Sequence, residues 1–310
     1  MRTIVTGGAG FIGSHLVEAL VARGDEVMVI DDLSTGRRDN LPGSWAASHP
    51  ENFVVADIRD RAALSACFAR FRPDVVFHLA ARARIQPSFQ DPLEHHDINV
   101  TGTLNLLDLA VRHGVRKFIF SSSSSIYGRH DPGELPLAEA ASKAPGSPYS
   151  HNKFIGEQYL DFYGRLGGLE TVCLRYFNVY GERQLTEGTY ATVIGIFLRQ
   201  LAAGEPFTIV GDGEQRRDFT YVKDVAAANL AAAEPGRTGT YNIGTGENHS
   251  INEIAAMISV EHPRVQLPPR PGEYPATLAD SGAARERLGW KPSTRLPDWL
   301  RRNQAGVRNG

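Results

Sequence analysis

Cysteine is almost missing from this sequence: 310 residues contain two, Cys67 and Cys173. Far apart and without metal-ligand spacing, they predict buried free thiols in a reducing cytoplasm, and no metal is expected. Long apolar runs are missing as well. Nothing approaches the roughly 20 residues of a membrane-spanning helix. The N-terminus enters a strand directly, without signal-peptide architecture, so the expectation is a cytoplasmic protein with no membrane partner. Nor does one sign of charge dominate. With 33 Lys and Arg against 35 Asp and Glu, a formal net charge of -2 gives no electrostatic reason to expect nucleic acid or a membrane surface as partner. There is no internal repeat, and the serine run 121–125 is too short to count as low complexity.

What is present is ordinary in composition and specific in order. A hydrophobic content of 42% suits a globular protein, and the length allows a large core or two lobes. At the front, Arg2 to Val5 reads as a short apolar strand, and Leu16, Val17, Leu20 and Val21 recur at helical spacing. Between them, Gly8, Gly10 and Gly13 match G-x-G-x-x-G, and Gly7, Gly10 and Gly13 make an overlapping G-x-x-G-x-x-G. Strand, glycine turn and helix in that order form a dinucleotide site: the turn admits a pyrophosphate and the helix N-terminus faces it. The next strand, from Glu26, ends in Asp31, where a carboxylate would bind the adenosine ribose and repel a 2'-phosphate. NAD is therefore expected over NADP.

Strands and helices continue to alternate through the strand Glu170 to Arg175. Strands are expected at 53–56, 75–79 and 117–120, and helices at 61–71, about 97–113 and 149–166. This rhythm predicts an α/β fold, a doubly wound parallel (Rossmann) sheet with ligands beyond the carboxyl ends of its strands. Beyond about residue 180, prolines and glycines thicken, pointing to a smaller, irregular C-terminal lobe. Helix 222–233 and strand 240–243 are expected to return to the larger domain. The predicted division is residues 1–176 plus about 218–245 for the cofactor, and 177–217 plus about 246–310 for the substrate.

Tyr149-Ser150-His151-Asn152-Lys153 places a phenol and an ammonium one helical turn apart on one face. An isolated Y-x-x-x-K is more often an exposed tyrosine and a solvated lysine. Here it follows the fifth strand of a sheet that carries a nucleotide turn, so the pair is read as a proton-transfer device in which the lysine cation favours phenolate. Pro148 predicts the helix start and puts Tyr149 in the first turn.

Taken together, the chain resembles an extended short-chain dehydrogenase/reductase, and within that superfamily the nucleotide-sugar 4-epimerases of the UDP-glucose/UDP-galactose type. The resemblance spans nearly the whole length. It is carried by Thr6 to Gly13, Asp31, Asp57, His78-Leu79-Ala80-Ala81, Ser121 to Gly128, Tyr149 with Lys153, and Arg175-Tyr176-Phe177-Asn178. Later come Gly211-Asp212-Gly213, Arg217-Asp218-Phe219, Asn242 to Gly246 and Arg270-Pro271-Gly272.

The resemblance implies that Tyr149 takes the proton of the sugar C4 hydroxyl while a hydride passes to tightly held NAD. The 4-keto sugar then turns in the pocket and receives the hydride on its other face. Ser123 would be the catalytic hydroxyl, and Lys153 would also hold the nicotinamide ribose. Cofactor contacts are implied for Gly7, Gly10, Phe11, Ile12, Gly13, Asp31, Asp32, Asp57, Ile58, Leu79, Ala80, Ala81, Ser121, Tyr149, Lys153 and Tyr176. The UDP-sugar substrate would meet Ser122, Ser123, Ser125 and Tyr149. Asn178, Arg217 and Arg270 would grip its diphosphate, Glu273 its ribose, and Phe219 would lie beside its base. Each has a bland alternative: a solvated serine loop for Ser123, surface charge for the arginines, core for Phe219.

Departures narrow the reaction. Dehydratases and decarboxylases of this superfamily carry an acid just after the catalytic hydroxyl, where this chain has Ser124 and Ser125, and Asp31 argues against NADPH-using reductases. The intact Ser123, Tyr149 and Lys153 set argues against a non-catalytic NAD-binding relative. Thr277, small, at a position that gates the sugar pocket, points to acceptance of N-acetylated sugars as well. A UDP-glucuronate 4-epimerase is the alternative, but its expected arginine near Ile194 is missing and the nearest is Arg199. Relatives pair two helices across a homodimer, and 97–113 and 149–166 are the candidates.

Overall fold

The computed structural model describes residues 1–270, 272 and 274–307, leaving aside the side chains of 304–307. Seven strands make one sheet: β1 (Arg2–Thr6), β2 (Glu26–Asp31), β3 (Phe53–Val55), β4 (Val75–His78), β5 (Lys117–Ser123), β6 (Glu170–Tyr176) and β7 (Gly239–Ile243). Their spatial order is β7-β6-β5-β4-β1-β2-β3, and every pairing is parallel. The order reverses between β1 and β4, which opens the crevice in which a doubly wound sheet takes its ligand.

Period-two alternation explains why both faces are covered. Val5, Val29, Phe77 and Ile119 point into one apolar layer with Leu16, Val17 and Leu20 of α1 (Phe11–Arg23). Ile4, Met28, Ile30, Val76, Phe118 and Phe120 point into the opposite layer. That layer also takes Leu64 and Phe68 of α2 (Arg61–Phe71), Leu106 of α3 (Gly102–Arg112) and Leu160 of α4 (Pro148–Leu166). Cys67 and Cys173 are both buried and free.

The smaller lobe has its own core, with Tyr180, Phe197, Phe207, Ile254 and Trp299 at its centre. Only short two-stranded pairings support it, such as Arg216–Asp218 with Asn248–Ser250. Buried Asp218 ties its loops together, accepting hydrogen bonds from the amides of Thr245, Gly246 and Ala279. The chain then returns to the main sheet: helix Val222–Ala232 lies against α1, and β7 extends the edge beside β6.

Two elements differ from expectation. The strand expected over 117–120 runs on to Ser123, carrying the serine run to the crevice. The helix expected over 97–113 begins as a wide π-helical turn, Asp97–Thr101, before α3. In that turn the Asn99 amide clamps the backbone of Arg82, donating to its carbonyl at 2.9 Å and accepting from its amide at 2.8 Å. Widened turns of this kind gather at functional sites, and this one shapes the loop after β4.

Candidate active site

The glycine turn is built by close approach. Gly7 has φ 70°, and a Cβ there would lie 2.6 Å from the Ala80 amide nitrogen; one at Gly13 would strike the Gly7 carbonyl. Only glycine fits both places. Asp31, at the end of β2, is buried and accepts the Ala9 and Leu33 amides, each at 2.9 Å. Its carboxylate thus braces the turn as well as facing the crevice, and each oxygen keeps acceptor capacity. Burial raises its pKa, and the two amide bonds oppose that shift.

The proton-handling groups meet where β5 ends and α4 begins. Ser147 caps α4, accepting the Ser150 amide, and Pro148 takes the first helical position, so Tyr149 sits in the first turn. Lys153 is buried one turn on, its Nζ donating to the Ser121 carbonyl at 2.8 Å and lying 4.8 Å from the Phe120 ring centroid. Burial lowers Lys153 to about 7, with Glu157 pulling it back up. Burial also raises Tyr149, opposed by its hydrogen bond with Ser123 and the positive charge of Arg84. The expected effect of Lys153 is therefore weakened, because a lysine near 7 carries only part of its charge at neutral pH.

Alternation along β5 sorts the serines. Ser121 bonds the Tyr176 hydroxyl at 3.0 Å, and Ser123 bonds Ser125 at 2.9 Å. Ser122 departs from expectation: its hydroxyl is engaged in donating to buried Glu157. Glu157 is in turn held by Arg175 through bonds of 2.9 and 2.7 Å.

With the exception of Glu273, which lies outside the described residues, all the candidate residues line one cavity of about 1130 Å³. Asn178 and Arg217 line it too. The Asn178 amide donates to the Asp218 carbonyl at 3.3 Å, and Arg217 donates to the Tyr274 carbonyl at 2.7 Å. Phe219 proves to be core and wall at once. Thr277 is buried, and its hydroxyl has no protein partner. Arg199 does not line the cavity; it pairs with Glu205 at 2.7 Å on the exterior.

A model of the NAD dependent epimerase/dehydratase family matches residues 3–244. The chain belongs to that family. A putative UDP-glucose 4-epimerase of Methanocaldococcus jannaschii is 40% identical over 304 residues, covering 96% of each protein. The UDP-glucose 4-epimerase of Thermotoga maritima, solved with UDP-glucose, superposes with a TM-score of 0.92 at 39% identity and covers 99% of both chains. That of Thermus thermophilus, solved with NAD, gives 0.91 at 39% identity over the full length of both.

The cofactor of this epimerase/dehydratase family member is NAD, and the residues present fit it. The cradle has no room for a side chain at Gly7 or Gly13, α1 starts beside it, and Asp31 offers a carboxylate at the ribose end. Asp57 stays ionised, its pKa lowered by hydrogen bonds from Arg59.

Sequence reasoning missed Arg84, which lines the same cavity from the loop after β4. It holds φ 88°, a strained conformation for any residue but glycine, worth of order 1–3 kcal/mol. Its one visible signal is position: Arg82-Ala83-Arg84 places two cations just beyond the carboxyl end of a sheet strand.

Proposed function

We propose that the protein is a nucleotide-sugar 4-epimerase that interconverts UDP-glucose and UDP-galactose, as in galactose metabolism, through a transient 4-keto sugar. One observation carries the reading: Ser123, Tyr149 and Lys153 share a cavity with the glycine turn and Asp31, with no acid at position 124 or 125. NAD, when bound, supplies the two-electron acceptor that takes and returns a hydride at the sugar C4. Tyr149 as phenolate accepts the C4 hydroxyl proton, and Ser123 holds that oxygen by a hydrogen bond. Without an acid beyond Ser123 there is no group placed to drive elimination or loss of carbon dioxide, so the ketone is reduced again. Tyr149 then returns its proton. The cavity of about 1130 Å³ runs from Asp31 to Arg217 and exceeds the roughly 300–1,000 Å³ of a site for one small ligand, as a site shared by NAD and a UDP-sugar requires.

In this reading residues 1–176 with about 218–245 hold NAD, and 177–217 with about 246–310 hold the UDP portion. Arg217, Arg270 and Asn178 serve the diphosphate, as charge-assisted donors suit that anion. Glu273 and Phe219 serve the nucleoside. Small, buried Thr277 leaves room for an N-acetyl group, so the N-acetylated pair is a second substrate. The buried free cysteines fit a cytoplasmic enzyme.

The test is a panel of UDP-sugars followed by NMR, with wild type and Tyr149→Phe. The expected result is one mixture of UDP-glucose and UDP-galactose from either starting sugar, and a kcat about 10²–10⁴ lower in the variant. A persistent keto product, release of carbon dioxide, or full turnover by Tyr149→Phe would defeat the reading.

A further inference from the structure

Arg84 lines the cavity with Tyr149 and is anchored from across the crevice, its Nε donating to the Tyr190 carbonyl at 3.1 Å. Among the described residues no carboxylate lies within ion-pair distance of its guanidinium. The other arginines of the neighbouring segments do have one: Arg82 lies 3.6 Å from Glu94, and Arg183 lies 2.7 Å from Glu18. Arg84 also holds its backbone at φ 88°, where glycine would be comfortable and arginine is strained. A fixed, uncompensated cation maintained in a strained loop marks a place where negative charge arises. The ionisable group that faces it is the Tyr149 hydroxyl.

We propose that Arg84 is a positioning residue for the proton transfer: tethered to Tyr190, its guanidinium stabilises the Tyr149 phenolate that accepts the sugar proton. The inference rests on the reading of Tyr149 as base. Burial lowers both cations on that side, Lys153 to about 7 and Arg84 from a guanidinium's much higher starting value, so at neutral pH Lys153 carries only part of its charge and Arg84 keeps its own.

The remaining groups around Tyr149 do not replace Arg84. Ser123, from β5, supplies a hydrogen bond without charge. His78, on β4, is held between the hydroxyls of Thr6 and Thr103, and burial keeps it neutral. Glu157, one turn beyond Lys153, is neutralised by Arg175. His95, from the short helix 92–96 against α4, is turned to the Asp91 carbonyl. Arg217 is tied to the Tyr274 carbonyl, and neither it nor Arg270 is among the groups that act on Tyr149.

Glycine suits φ 88°, so Arg84→Gly removes the charge while relieving the backbone. The Tyr149 titration is read by NMR of ¹³Cζ-tyrosine in NAD-loaded protein, with the signal assigned by its loss in Tyr149→Phe. In Arg84→Gly the midpoint should rise by about one pH unit, with kcat about tenfold lower below it and KM changed less. Arg84→Lys should restore most of both. An unmoved midpoint in Arg84→Gly overturns the proposal. So does loss of UDP-glucuronate turnover alone, which would assign the guanidinium to a sugar carboxylate. Full turnover by Tyr149→Phe defeats instead the reading of the base itself. If Arg84→Gly does not fold, Arg84→Gln against Arg84→Lys gives the same comparison.

Discussion

Asp31 has two tasks in one carboxylate: it faces the ribose end of the crevice and accepts the Ala9 amide inside the glycine turn. Asp31→Ala therefore removes a ligand contact, a repulsive charge against a 2'-phosphate and a brace of the turn. We expect NAD content in the purified protein to fall at least tenfold, a loss of about 1.4 kcal/mol, and NADP to compete more closely. Cofactor content by mass analysis and competition titrations check both. Unchanged content would leave Asp31 a purely structural residue. The first of these, its place in the crevice, was legible in the sequence, because it follows from spacing after a glycine motif. The second was not, since a bond between Asp31 and Ala9 depends on how two loops meet. Arg84 escaped for the same reason: motif and periodicity report regular elements, and it sits in an aperiodic loop at positive φ. Asp218 was quoted only as part of a motif, and its bonds to residues 245, 246 and 279 come from chain separations no local pattern encodes.

The strand-to-helix unit β5–α4 works as one element because it is tied from behind. Ser122 on the strand and Arg175 on β6 both bond Glu157 on the helix, and Arg175 also donates to the Tyr127 hydroxyl at 2.8 Å. All are buried, so removing one partner strands a charge. Arg175→Ala is expected to destabilise the fold by about 3–5 kcal/mol in chemical denaturation, because Glu157 is then uncompensated. The double variant Glu157→Leu with Arg175→Met should recover much of that stability, as an apolar pair of similar volume avoids the desolvation cost. A single variant as stable as wild type would show that the pair contributes nothing. Helix and strand positions in this region followed from periodicity and from Pro148. Ser122 was read as ligand-facing because a run of five serines conceals the alternation that separates its two faces.

At the scale of the molecule, α3 and α4 lie side by side and carry exposed apolar side chains, Val111 on the first and Phe162 and Leu166 on the second. Leu166 is 64% exposed and Phe162 50%, so the second helix carries two large apolar side chains outward near its C-terminal end. We propose that these helices meet their counterparts in a homodimer with two-fold symmetry. Wild-type protein should sediment at twice the chain mass, and Phe162→Asp with Leu166→Asp should sediment as a monomer that still carries NAD. A monomeric wild type would refute the assembly. The sheet was predictable from its alternation, whereas the lobe around Phe197 and Trp299 was recognised only as irregular, since its short pairings join distant segments.

The edge strand β7 has a further consequence for how the protein comes into being. It pairs with β6 from Gly239 opposite Val172 to Ile243 opposite Tyr176, yet the ribosome makes it more than sixty residues later, after only the first part of the smaller lobe. Until then the backbone of β6 is an open edge of apolar sequence, ready to pair with any other chain. Translation must thus run on through residues 177–238 before the main sheet is complete.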